Sequence, residues 1–133
     1  MDGPYDVYLA LGVWEHDAAG PNAFAREAKR VVKLGGRIIV SVPFQSWLSC
    51  WRDWQRPLSN NDTFYQHRFT VREFHRILQK HGFYYVRTAF YGSGYAMKRV
   101  LSPQVRRRAR WTRFLPFVNR ATAHMLFVVA EKW

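Results

Sequence analysis

The sequence predicts a layered α/β sheet. Three observations carry this. Short β-branched or aromatic runs recur at Val7–Leu11, Arg37–Val42, Phe83–Phe90 and Met125–Ala130. Helix-period apolar stripes stand between the first and second runs and before the third. Glycine or proline punctuates most of the joints. Strands that alternate with helices build such a sheet.

Each element has a local cause. Val7-Tyr8-Leu9-Ala10-Leu11 lacks polar alternation, which suits a strand buried on both faces. Gly20-Pro21 places proline at a first helical position, where its missing N–H is harmless. Phe24, Ala28, Val31 and Val32 then form one apolar stripe, and Gly35-Gly36 is expected to cap the helix. Arg37 to Val42 is strand-like, and Pro43 stops it. Thr70-Val71-Arg72-Glu73 is a capping box, in which Thr and Glu each satisfy the other's backbone amide. Val71, Phe74, Ile77 and Leu78 form the stripe of that helix, and Gly82 ends it. Gly92-Ser93-Gly94 breaks the third strand.

Two stretches do not fit the alternation. Residues 45–66 have no clean period and hold Trp47, Trp51, Trp54, Phe64 and Tyr65, as does a binding loop or lid, or a surface insertion that tucks its tryptophans onto the core. Residues 96–120 are helix-compatible, interrupted by Pro116, and rich in arginine. The whole is expected to be one domain, residues 1–133, because 133 residues suffice for one core and not two.

Composition excludes several classes. With 48% hydrophobic and 17% aromatic residues the chain is not a disordered tail. Its single cysteine, Cys50, forbids an intrachain disulfide or a cysteine zinc cluster. The longest apolar run, Met125–Ala130, is far below the roughly 20 residues of a membrane span. No signal peptide is visible, so the default compartment is the cytoplasm. The net charge of +12 is uneven. Residues 1–66 hold seven bases and seven acids, whereas residues 67–133 hold fourteen bases and only Glu73 and Glu131. Such a local excess suits an anionic partner or a solvated arginine face. No nucleic-acid-binding motif is present.

The order of motifs resembles the second half of a class I S-adenosylmethionine-dependent methyltransferase of the type-11 kind. The likeness rests on Tyr5-Asp6-Val7 through Leu11, then Glu15-His16, then Arg30-Val31-Val32-Lys33-Leu34-Gly35-Gly36, then Ser41-Val42-Pro43. It continues in His67-Arg68-Phe69-Thr70 through Glu73-Phe74, and in His81-Gly82-Phe83. The resemblance implies a partial Rossmann-like sheet made of the family's strands four, five, six and seven, with flanking helices and the last strand antiparallel. The family's complete order is 3-2-1-4-5-7-6. Its glycine-rich loop and its ribose-gripping acid have no counterpart in these residues, which are therefore expected to be part of a longer gene product and to bind S-adenosylmethionine weakly or not at all.

The resemblance sets Leu11, Gly12 and Val13 against the methionine and sulfonium region of that cofactor. It makes Glu15 and His16 the candidate catalytic pair, with positioning of the loop as the bland alternative. Some quinone O-methyltransferases of the family bind a metal through E-x-x-E-H, but Gly12 stands where the first Glu would be, so no metal is expected. Trp47, Trp51, Tyr65 and His67 are candidate contacts to a small-molecule or lipid-like acceptor. His75, His81 and His124 read as structural or solvent-facing. The alternative is a non-catalytic fragment or binding module. Its basic segment, with Arg106, Arg107, Arg108, Arg110 and Arg113, would lie on an anionic membrane or on nucleic acid. An unpaired edge at Val7–Leu11 would also promote self-association.

Overall fold

The computed structural model describes residues 3–17, 19–50, 67–92 and 116–133. Trp51, Tyr65, most of the aromatic segment and the arginines from Arg99 to Arg113 lie outside the described residues. The elements fully within the described residues are, in order, β1 (Tyr5–Leu11), α1 (Asn22–Val31), β2 (Val32–Pro43), α2 (Val71–Lys80), β3 (Phe83–Tyr91), α3 (Pro116–Thr122) and β4 (Met125–Lys132). A short 3-10 turn, Trp14–His16, follows β1. No helix among the described residues is long and apolar enough to cross a membrane.

The sheet order is β1-β2-β4-β3. β1 and β2 are parallel, and β4 runs antiparallel to both β2 and β3. This is the order 4-5-7-6, with the last strand reversed, that the motif pattern implies. Leu126, Val128 and Ala130 of β4 face Ile38, Val40 and Val42 of β2 on the covered side, all fully buried. Phe74 and Leu78 of α2, Ala25 and Ala28 of α1, and Trp14 belong to the same core. The capping box of α2 forms as read: Glu73 N donates to Thr70 Oγ1 at 3.2 Å, and Thr70 N to Glu73 Oε2 at 3.5 Å. Lys132, 6% exposed, donates its Nζ to the Val32 carbonyl at 2.7 Å and ties the end of β4 to the start of β2.

Three expectations need correction. β1 is not buried on both faces. Ala10 points into the core, but Val7, Leu9 and Leu11 are 55%, 61% and 52% exposed. The described helices cover one face only, and a parallel pair normally needs both faces covered. Second, Gly35-Gly36 does not cap α1. The helix ends at Val31, Val32 already belongs to β2, and residues 33–36 bulge from that strand. Two steps along β1, Tyr5 to Val7, match five along β2, Val32 to Arg37. Gly35 absorbs the excess with φ +74°, a left-handed conformation that glycine takes at little cost. Third, the stretch after β2 is not wholly irregular, since residues 47–50 are helical.

His75 and His81 join α2 to its surroundings rather than face solvent freely. His75 Nε2 lies 3.2 Å from Thr88 Oγ1, and its ring stacks on Tyr85 at 4.4 Å. Burial holds the His75 imidazole below the usual histidine range, and it does the same for His81 with help from Lys80, Arg26 and Lys29. A depressed folded value means that, as pH drops below about 6.5, the unfolded chain takes up protons that the folded chain refuses. Stability is therefore expected to fall through that window, separately from the loss at lower pH as Glu27 and Glu131, both held below the usual carboxylate range by arginine or tyrosine partners, become protonated. His75→Asn should flatten the slope between about pH 6.5 and 5 in urea titrations; an unchanged slope would refute the assignment.

Candidate functional site

The site is built where the two parallel strands end. Leu11 pairs with Ser41, and Gly12 N extends the ladder by donating to Ser41 O at 3.0 Å. Gly12 then turns the chain with φ +66°. A Cβ at this position would stand in van der Waals contact, 3.4 Å, with Glu15 Oε1, so it is the positive φ that favours glycine here. Leu11 and Val13, on either side, are 52% and 41% exposed. Backbone is thus presented at the carboxyl ends of the strands, where ligands bind in open α/β sheets.

Trp14 anchors the turn after Gly12. It is fully buried, with ring centroids 6.3 Å from Phe24, 5.7 Å from Phe74 and 6.4 Å from Tyr8. Its Nε1 donates to Tyr8 Oη at 3.4 Å. An anchor of this size in the core leaves the adjacent residues little freedom. Glu15 is only 2% exposed. Its Oε1 lies 3.8 Å from His16 Nε2, and its Oε2 is buried without a hydrogen-bond partner among the described residues. An orphaned buried carboxylate oxygen is costly, and such losses are tolerated most often at functional sites.

The third component comes from the segment before α2. His67 N donates to the Glu15 carbonyl at 3.0 Å. Phe69 N donates to Pro43 O and Gln45 N to Phe69 O, both at 2.9 Å, which stitches the segment to the end of β2. His67 Nε2 meets Glu73 Oε1 at 3.1 Å, and its ring stands edge-on to Phe69 at 4.4 Å. Gly12, Glu15, His16 and His67, up to 55 positions apart in sequence, are so brought to one end of the sheet. Trp47 lies on the helical stretch after β2 and is 76% exposed. Glu73 belongs to this site too, although its capping role alone was legible. The signal is its spacing: the carboxylate that caps the helix at Thr70 also reaches His67. Among the described residues, no three His, Cys, Asp or Glu side chains are grouped to hold a metal ion.

With strand order and site in place, the fold is that of the C-terminal part of class I S-adenosylmethionine-dependent methyltransferases. The chain is similar to the 1,6-didemethyltoxoflavin-N1-methyltransferase of Burkholderia thailandensis, solved with 1,6-didemethyltoxoflavin and S-adenosylhomocysteine, at TM-score 0.60 and 17% identity, over 99% of this chain and 45% of that one. It is similar to magnesium protoporphyrin IX methyltransferase of Synechocystis PCC 6803, solved with S-adenosylhomocysteine, at TM-score 0.61 and 16% identity, over 100% of this chain and 47% of that one. A methyltransferase of Archaeoglobus fulgidus aligns at TM-score 0.63 and 17% identity, over 98% of this chain and 61% of that one. The chain spans about half the length of these solved structures. No family model matches the sequence, and no curated protein matches it.

Replacing Glu15 by Met tests whether the carboxylate serves the fold. Removing a buried, unsatisfied polar group in favour of an apolar side chain of similar size should be neutral or raise stability by about 1–2 kcal/mol. Urea midpoints at neutral pH give the answer, and a loss of that size would show that Glu15 is structural.

Proposed function

We propose that these residues form the acceptor side of a methyltransferase that uses S-adenosylmethionine and acts on a small-molecule or lipid-like acceptor. One observation carries the proposal: the order β1-β2-β4-β3 sets Gly12, Glu15 and His16 beside His67 and Glu73 at the carboxyl ends of the parallel strands. The cofactor, when bound, supplies an electrophilic methyl group. The turn Leu11-Gly12-Val13 fits one side of such a group, because its backbone is accessible and Gly12 has no side chain to block approach.

The remaining work falls to side chains. Methyl transfer is an in-line displacement, so alignment of the acceptor is the main requirement. His16 and His67 flank the site, and either has a side chain able to take a proton from a hydroxyl or amine acceptor. Glu73 orients His67 through the 3.1 Å contact. Glu15 holds the turn and the His67 segment together through its carbonyl. Trp47, exposed after β2, and Trp51 and Tyr65 are the proposed apolar contacts for an aromatic or lipid-like acceptor. The default location is the cytoplasm, with the arginines at 106–113 as a contact for an anionic membrane.

The chain alone is proposed to be inactive. Among the described residues one face of β1 is exposed and its outer edge pairs with no strand, and the similar solved structures are about twice as long, which fits a further strand and a second helical layer. Neither a glycine-rich loop nor an acid for the ribose precedes β1 in these residues. Calorimetric titration of S-adenosylmethionine into the 133-residue chain is expected to give no saturable binding at micromolar concentrations; saturation there would overturn the proposal of an incomplete cofactor site. The same preparation should self-associate in analytical ultracentrifugation through the β1 edge, and a monodisperse monomer at high concentration would count against that.

A further inference from the structure

The outer surface of the helical layer has a character that methyl transfer does not use. On α1, Asn22, Arg26 and Lys29 lie at i, i+4 and i+7, on one exposed face. On α2, Arg72, Arg76 and Lys80 recur every four residues and are all exposed. The two stripes meet at His81, whose Nε2 lies 3.0 Å from Asn22 Oδ1. Lys29 reaches the same point: a Cβ placed on Gly82 would be 3.1 Å from its Nζ. Burial first, and then the charges of Lys80, Arg26 and Lys29, lower the proton affinity of His81. No ion pair with a described acid neutralises any of the five stripe cations. Trp133 adjoins the cluster, with its N donating to Gly82 O at 3.1 Å and its side chain 69% exposed.

Like charges so concentrated repel one another unless an anion spans them. The apolar content selects among anions. None of the exposed large apolar side chains among the described residues lies on α1 or α2. A helix that docks on a membrane surface buries an apolar face, and these outward faces have none to offer. An exposed indole at the end of a row of cations is instead what a single-stranded nucleic acid takes, with phosphates along the row and a base on the ring. We infer that the α1–α2 surface, through Arg26, Lys29, Arg72, Arg76, Lys80 and Trp133, binds single-stranded nucleic acid through its backbone phosphates and one stacked base.

The test uses the full 133-residue chain and a fluorescein-labelled oligothymidylate of about 12 nucleotides, followed by anisotropy over a range of salt. R26Q/K29Q/K80Q is expected to weaken binding by more than about tenfold at low salt and to reduce the slope of log affinity against log salt by about 2, since each single-strand phosphate contact contributes about 0.7. R37Q/R87Q/R120Q, which removes the same charge elsewhere, should leave the slope nearly unchanged. W133A should weaken binding with the slope intact and abolish the expected change in tryptophan emission. All seven positions are exposed, so far-UV circular dichroism of every variant should match the parent. Equal losses in the two triple variants would overturn the inference, because charge alone would then explain binding. So would an unaffected W133A. Loss of sedimentation with phosphatidylserine vesicles in R26Q/K29Q/K80Q, with oligothymidylate binding unchanged, would overturn it in favour of a membrane.

Discussion

Trp14 is the side chain through which the core and the candidate site depend on each other. It lies three residues past the end of β1, yet its ring lies against residues of β1, α1 and α2. The turn that carries Glu15 and His16 therefore has its position set by the same contacts that hold both helices on the sheet. Truncating a buried tryptophan typically removes about 3–5 kcal/mol. Any such change would act on the site as much as on stability. The carbonyl of Glu15 extends this dependence to the His67 segment, which in turn starts α2 at Thr70.

Local chemistry was legible in the sequence wherever one element decides it. The capping box at Thr70 and Glu73 depends on four consecutive residues and forms as read. The burial of Phe74 and Leu78 follows from helical spacing alone. The sheet order followed from the likeness of motifs and not from periodicity, because no periodic signal says that β4 inserts between β2 and β3.

The features that were not legible depend on partners distant in the chain. Val7, Leu9 and Leu11 read as doubly buried because burial on a second face requires a second layer, and no residue inside β1 records whether that layer is there. Gly35 reads as a helix end because a left-handed glycine suits a cap and a bulge equally; only the pairing of Tyr5 with Val32 distinguishes them. His67 and Glu73 looked like separate features, and the orphaned oxygen of Glu15 has no sequence signature at all. The convergence of α1 and α2 cations at His81 likewise requires two helices to be laid side by side.

The two borders of the sheet are unequal. β3 carries a register shift between Tyr85 and Arg87, and Arg87 itself is exposed. A bulge and a charge on an outer strand discourage another strand from adding to it. The opposite border also has a charge, Asp6, and a register shift between Tyr5 and Val7, but both lie at its start, and Val7 to Leu11 is regular, uncharged and without proline. Among the described residues only the β1 border is receptive over most of its length, so copies that paired through it would have no second such border to offer a third. Growth by this route would stop at a closed pair and would not propagate into a fibre.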